Sequence, residues 1–232
     1  SNTSINQRTT IISLNKFAQK SLHTSPLLRW RRREERDILF QSLKQLQINE
    51  ADLDDGKVPM LESKEDLHLY RKLRKCRNKI ASALNGSSEH KLFIPKAVRY
   101  FISAVPDDLE RSSIVLNVSQ EEYSRVHITL NSNVFYWWWR VYGNGFQVDM
   151  DTITRFPLLN VDKSVADELS EKLKFAMPEC ESVKFNAGKD IINFNYNFRQ
   201  DIISEIDKVL LDSIKTEPHK RIFGCKTNSV RG

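Results

Sequence analysis

Residues 131–146 read Asn-Ser-Asn-Val-Phe-Tyr-Trp-Trp-Trp-Arg-Val-Tyr-Gly-Asn-Gly-Phe, so three of the four tryptophans in the chain stand side by side. In a helix, three successive side chains cover roughly 300° around the axis, and one core face cannot take all three indoles. At least one indole must therefore lie against another element, a partner or a nucleic acid. The plainest solution is a helix pinned between two layers, with Trp137–Trp139 as core and platform rather than intercalating wedges.

At 232 residues, 40% hydrophobic and 28% charged, the chain can build a sizeable core as one large domain or two small ones. No run of about 18 apolar residues occurs, so no membrane-spanning helix is expected. The opening Ser1-Asn2 lacks an initiator Met and suggests a piece cut from a longer polypeptide. Cys76, Cys180 and Cys225 are far apart and form no Cys-x-x-Cys pair, which points to a reducing, cytoplasmic setting and away from structural zinc. The five histidines are equally scattered, with no metal-ligand spacing. Charge is uneven. Residues 1–100 carry 20 Lys/Arg against 11 Asp/Glu, and residues 101–232 carry 16 against 19, nets of +9 and −3. A basic half on a near-neutral body suggests a polyanionic partner.

The fold expected is α+β: an N-terminal helical portion plus a mixed domain of a small β-sheet packed with several helices. Residues 1–24 read as a linker or frayed segment, 25–86 as the helical, basic portion, 87–212 as the mixed domain and 213–232 as a polar tail. Pro26 can open a helix running to Leu46, on which five arginines are partly offset by Glu34, Glu35 and Asp37. Residues 49–61 are acidic, broken by Gly56 and Pro59, and read as a loop without the register of a calcium-binding loop. Ser63 and Asp66 form a capping box for a helix over Lys64–Leu84. Its apolar stripe is Leu69, Leu73, Cys76 and Ile80; Arg71, Lys72, Arg74, Lys75, Arg77 and Lys79 take the other face. Without acidic partners such a face repels itself, so it is the first candidate for a phosphate-facing element. Two short strands flanking Pro95, a strand over Ser113–Val118 and one helix over Glu121–Tyr142 should follow. Next come an amphipathic helix over Val161–Met177, paired strands around Asn186–Lys189 and a last helix over Asp201–Leu211. Neither a phosphate-binding glycine loop, a zinc-protease pair nor a nucleophile elbow is present, so no catalytic residue is assigned.

The stretch Arg125–Phe146, followed by Ile153-Thr-Arg-Phe-Pro-Leu158, resembles the target-recognition (TaqI-like specificity) region of bacterial type IIG and other restriction-modification DNA adenine-N6 methyltransferases. The family pattern is an Leu-Asn-Ser-x-Leu/Val-Phe-aromatic helix, a glycine loop and a segment ending Phe-Pro-Ile/Leu, all present here in order. Ile94–Ser103 is similar to the preceding aromatic strand, and Phe194–Leu210 to the family's C-terminal helix; together the likeness spans about residues 25–212. The family's S-adenosylmethionine loop and Asn/Asp-Pro-Pro-Tyr/Phe motif do not occur. The resemblance thus implies a specificity module without its own cofactor, whose partners are double-stranded DNA and a catalytic methyltransferase domain of the same bacterial parent, where S-adenosylmethionine would bind. It implies that this module reads base edges in the major groove while the target adenine is extruded into the catalytic pocket. On this reading Arg71, Lys72, Arg74, Lys75 and Lys79 hold phosphates, with Lys96, Arg99, Arg140, Asn144 and Gln147 as the other DNA contacts. Each has a plainer alternative: Arg99 pairing with an acid, Arg140 stacking on a tryptophan, Asn144 accommodating the turn. Two rival functions stay open, a protein-assembly module and an RNA-binding module.

Overall fold

The computed structural model describes residues 21–26, 37, 38, 40, 41, 43–86, 89–98, 101–108, 112–143, 145–186 and 188–217. The architecture is α+β. Helices α1 (Lys64–Lys75), α2 (Tyr123–Leu130), α3 (Asn133–Tyr142), α4 (Met150–Arg155), α5 (Lys163–Ala176) and α6 (Gln200–Ser213) surround one apolar core. Three two-stranded antiparallel ribbons accompany them: β1 (Leu22–Thr24) with β2 (Leu46–Ile48), β3 (Lys91–Pro95) with β4 (Ser113–Asn117), and β5 (Glu181–Asn186) with β6 (Lys189–Phe194).

Helix α3 is the axis of the molecule. Every residue from Asn133 to Val141 is buried, which is how a helix apolar on all sides must sit. The three indoles fan out to three different neighbours. Trp137 Nε1 donates to Asp66 Oδ1 in the first turn of α1 at 3.1 Å, Trp138 Nε1 to the Thr152 carbonyl in α4 at 3.3 Å, and Trp139 Nε1 to the Gln147 carbonyl at 3.0 Å. Rings close the gaps: Trp138 meets Tyr142 at 4.8 Å and Phe156 at 5.5 Å, both edge-on. The tryptophans are core.

Two expected helices are each broken by a side chain or a pairing stronger than the helical pattern. The helix expected over Glu121–Tyr142 is interrupted at Asn131-Ser132. Asn131 turns its amide to the Ala104 backbone, accepting from its N–H at 2.9 Å and donating to its carbonyl at 2.8 Å. Ser132 then takes extended geometry and caps α3 by accepting from Phe135 N–H at 2.9 Å. The helix expected over Lys64–Leu84 stops at Lys75. Cys76 is extended, and the chain leaves to pair with the segment after α4: Leu158 N–H reaches the Asn78 carbonyl at 3.1 Å, and Ile80 N–H the Phe156 carbonyl at 2.9 Å. A 3-10 turn, Ile80–Ala83, resumes the burial of Ile80 and Ala83, so the apolar spacing is satisfied without a continuous helix.

Leu22–Thr24, within the segment expected to be linker, forms a strand against β2, which takes Leu46 out of the helix expected from Pro26. Residues 27–36 of that helix lie outside the described residues, as does the tail from residue 218. Among the described residues only one of the two strands expected around Pro95 is regular; on the edge of β3 away from β4, Phe93 and Val105 exchange backbone hydrogen bonds at 2.8 and 3.0 Å. Helix α5, the β5–β6 hairpin and α6 lie as expected, with Asp162 accepting from Ser164 N–H at 2.9 Å to start α5. The core runs without a break from Ile48 to Leu211. No helix among the described residues is long and apolar enough to cross a membrane.

Candidate nucleic-acid interface

The basic face of α1 is answered from within the molecule. Arg71 donates through Nε and Nη2 to the two oxygens of Asp52, both at 2.7 Å, and Asp52 is buried. The Arg71 guanidinium that binds it holds the Asp52 carboxyl below the usual carboxylate range. Arg74 lies over the Tyr70 ring, donates to the Ala51 carbonyl at 2.9 Å and stands 3.8 Å from Asp54. Lys72 turns to the C-terminal end of α6, donating to the carbonyls of Ile214 and Lys215, where the helix dipole favours a cation. Lys79, beyond the end of α1, is half-buried and donates to the Leu73 carbonyl at 3.5 Å; burial pulls its ammonium below the ordinary lysine value. Lys75 and Arg77 are exposed. The partners that charge counting misses are the aspartates of the acidic segment just upstream. Asn49 N–H to Asp52 Oδ2 at 2.9 Å folds that segment into a 3-10 turn, Glu50–Asp52, which presents them. An acidic run immediately before a basic helix is the signal that could have found them.

The same aspartates gather another cation. Arg155 reaches Asp54 at 3.1 Å, Asp55 at 3.5 Å and Asp151 at 2.8 Å, and Lys57 reaches Asp151 at 2.9 Å. Charge on this side is thus compensated in a network joining the acidic segment, α1 and α4.

A different situation holds at the glycine loop after α3. The chain beyond β3 runs antiparallel to residues 146–148, with Ala97 opposite Gln147. Val98 N–H donates to the Phe146 carbonyl and Val148 N–H to the Lys96 carbonyl, each at 2.9 Å. The loop is pressed onto α3. Gly143 N–H meets the Trp139 carbonyl at 2.6 Å, and a Cβ at Gly143 would lie 2.3 Å from that oxygen, so no larger residue fits. Gly145 sits at φ +68°, a conformation glycine adopts freely. Lys96 and Gln147, both exposed, stand one register position apart across this pairing, and Phe146 is 46% exposed. Arg99 and Asn144 lie outside the described residues. Arg140 does not belong to the exposed group: it is buried at 7% exposure on α3, because the whole circumference of that helix is core.

Of the ten positions singled out from sequence, then, Lys96 and Gln147 lie exposed on the two segments of one backbone pairing. Lys75 is exposed elsewhere, and Arg71, Lys72, Arg74 and Lys79 hold partners inside the molecule. Phe146, 46% exposed beside them, was not singled out from sequence. No family model, curated protein or solved structure matches this chain.

Proposed function

We propose that this chain recognises double-stranded DNA in a sequence-specific manner, as the specificity module of a site-specific adenine-N6 methyltransferase or restriction-modification enzyme. The observation that carries the reading is the backbone pairing of residues 96–98 with 146–148, which holds exposed Lys96 and exposed Gln147 one register position apart, their side chains alternating across a pinned loop. A lysine suits guanine O6/N7 and a glutamine suits adenine N6/N7 in the major groove. The motif order around α3 supports the same reading. Catalysis and S-adenosylmethionine would belong to another part of the parent. Holding phosphates falls to Lys75 and Arg77, since Arg71 and Arg74 already have acidic or carbonyl partners.

A second reading, a protein-docking module, is favoured by one observation: the β5–β6 hairpin carries Val183, Phe185 and Ile192 at 59%, 77% and 42% exposure, and the register sets Val183 opposite Ile192.

Titrating a labelled duplex with the chain between about 50 and about 200 mM salt tests the DNA reading. Affinity should fall linearly in log–log form, and duplex DNA should compete better than single-stranded RNA. Replacing Lys75 and Arg77 by Ala should weaken binding evenly across sequences and flatten the slope by up to ~0.9 for each phosphate no longer neutralised. Salt-independent binding, or equal competition by RNA, contradicts the reading.

A further inference from the structure

Along β5 and β6 successive side chains alternate between the two faces of the ribbon, so the register puts Glu181, Val183 and Phe185 on the same face as Phe194, Ile192 and Asp190. At the root of that face Phe194 packs against the core. Further out the same face carries Val183, Ile192 and Phe185, all exposed, and Phe185 leaves 77% of its surface in water. The ribbon thus continues the apolar surface of the core outward into solvent. Two strands alone gain little stability from their apolar face, and such a face is completed by an element packed on it.

Charge says which element. The nearby acids Glu179 and Asp201 are both answered by Arg199 at 2.8 Å. Glu181 at the root of β5 and Asp190 toward the tip of β6 are exposed, and neither forms an ion pair among the described residues. Two carboxylates bracketing an apolar strip repel phosphates, and they disfavour a second copy of the same face, where acid would meet acid. They attract an apolar strip bracketed by cations. Asp190 stands opposite Phe185, four residues along the strand from Glu181. With one strand spacing across, the two acids are about 14 Å apart, a distance that a helix covers in about nine residues.

We propose that this face of the β5–β6 ribbon docks an amphipathic helix of a partner protein. The apolar stripe of that helix covers Val183, Phe185 and Ile192, and its lysines or arginines, about nine positions apart, meet Glu181 and Asp190. The inference goes beyond the DNA reading and does not depend on it.

The test uses the whole chain and a labelled synthetic helical peptide with a leucine stripe between two lysines about nine positions apart. Fluorescence anisotropy should show saturable binding by the wild type. Phe185→Ser should weaken it at least about tenfold. A peptide with glutamates in place of the lysines should bind the wild type about tenfold less well. A Glu181→Lys, Asp190→Lys double variant should reverse that preference, and circular dichroism melts should show both variants folded like the wild type. No saturable binding by the wild type, binding undiminished by Phe185→Ser, equal affinity for the two peptides, or a preference that the double variant keeps overturns the docking face. Unfolding of Phe185→Ser overturns it too, because the ring would then be covered within the chain.

Discussion

Asp207 shows how a single side chain on one helix governs another. It lies on α6, fully buried, and accepts from Asn133 N–H at 2.9 Å, Val134 N–H at 3.3 Å and Asn133 Nδ2 at 2.8 Å, so it closes the N-terminus of α3 from outside. Burial pushes its pKa up to about 7, against the three N–H donors that pull it down. A carboxyl raised in the folded state keeps its proton there while the unfolded chain, titrating near about 4, has lost its own. Relative to Asp207→Asn, the wild type should therefore lose stability as pH rises from about 4 to about 7 and change little above that. Thermal midpoints of both proteins at acid and neutral pH check this; a difference that does not vary with pH contradicts it. The basic residues separate by the same logic. Arg71→Ala strands the buried Asp52 and should cost about 1–2 kcal/mol, the half-exposed guanidinium giving less than a fully buried pair. Lys75→Ala should stay within about 0.5 kcal/mol of wild type in urea melts. The acidic run just ahead of α1 was visible in the sequence, but charge counts show cations and not which aspartates fold back onto them.

Among the elements, α3 carries the most. Trp138→Ala empties space against Tyr70, Tyr142 and Phe156 and should cost about 3–5 kcal/mol by chemical denaturation. Ser132→Ala removes the cap that separates α2 from α3 and should cost about 1 kcal/mol. A cost near zero for Ser132→Ala would mean that the break does not depend on the serine. Elements with both periodicity and end signals were readable: α5 between Asp162 and Pro178, and α6 from its Ile-Ile-x-x-Ile spacing. The helix breaks were harder. Asn131-Ser132 is a cap signal hidden inside an apolar run, and Cys76 is no breaker at all; α1 ends because residues 78–80 find backbone partners in Phe156–Leu158 that lie about 80 positions away, beyond the reach of local pattern.

For the whole molecule, the α+β class followed from the sequence, and the indole fan made a helix pinned between two layers the plainest of the solutions it left open. The ribbon of Leu22–Thr24 with Leu46–Ile48 did not follow, since three-residue strands carry too little alternation to announce themselves. The β5–β6 hairpin projects an apolar face that does not stabilise the body, so Phe185→Ser should leave stability within about 0.5 kcal/mol in a thermal melt. A large loss there would mean the face is covered in the folded chain. The candidate site was half readable: Lys96 and Gln147 were chosen as isolated positions, and only the pairing of two distant segments makes them neighbours. Sequence-specific reading of duplex DNA by that bridge is tested most directly by selecting bound duplexes from a randomised pool, with the wild type and with a Lys96→Ala, Gln147→Ala double variant. The wild type should enrich a defined base pattern and the double variant should lose preference at part of it; a wild-type pool that stays random, or a pattern unchanged in the variant, contradicts it.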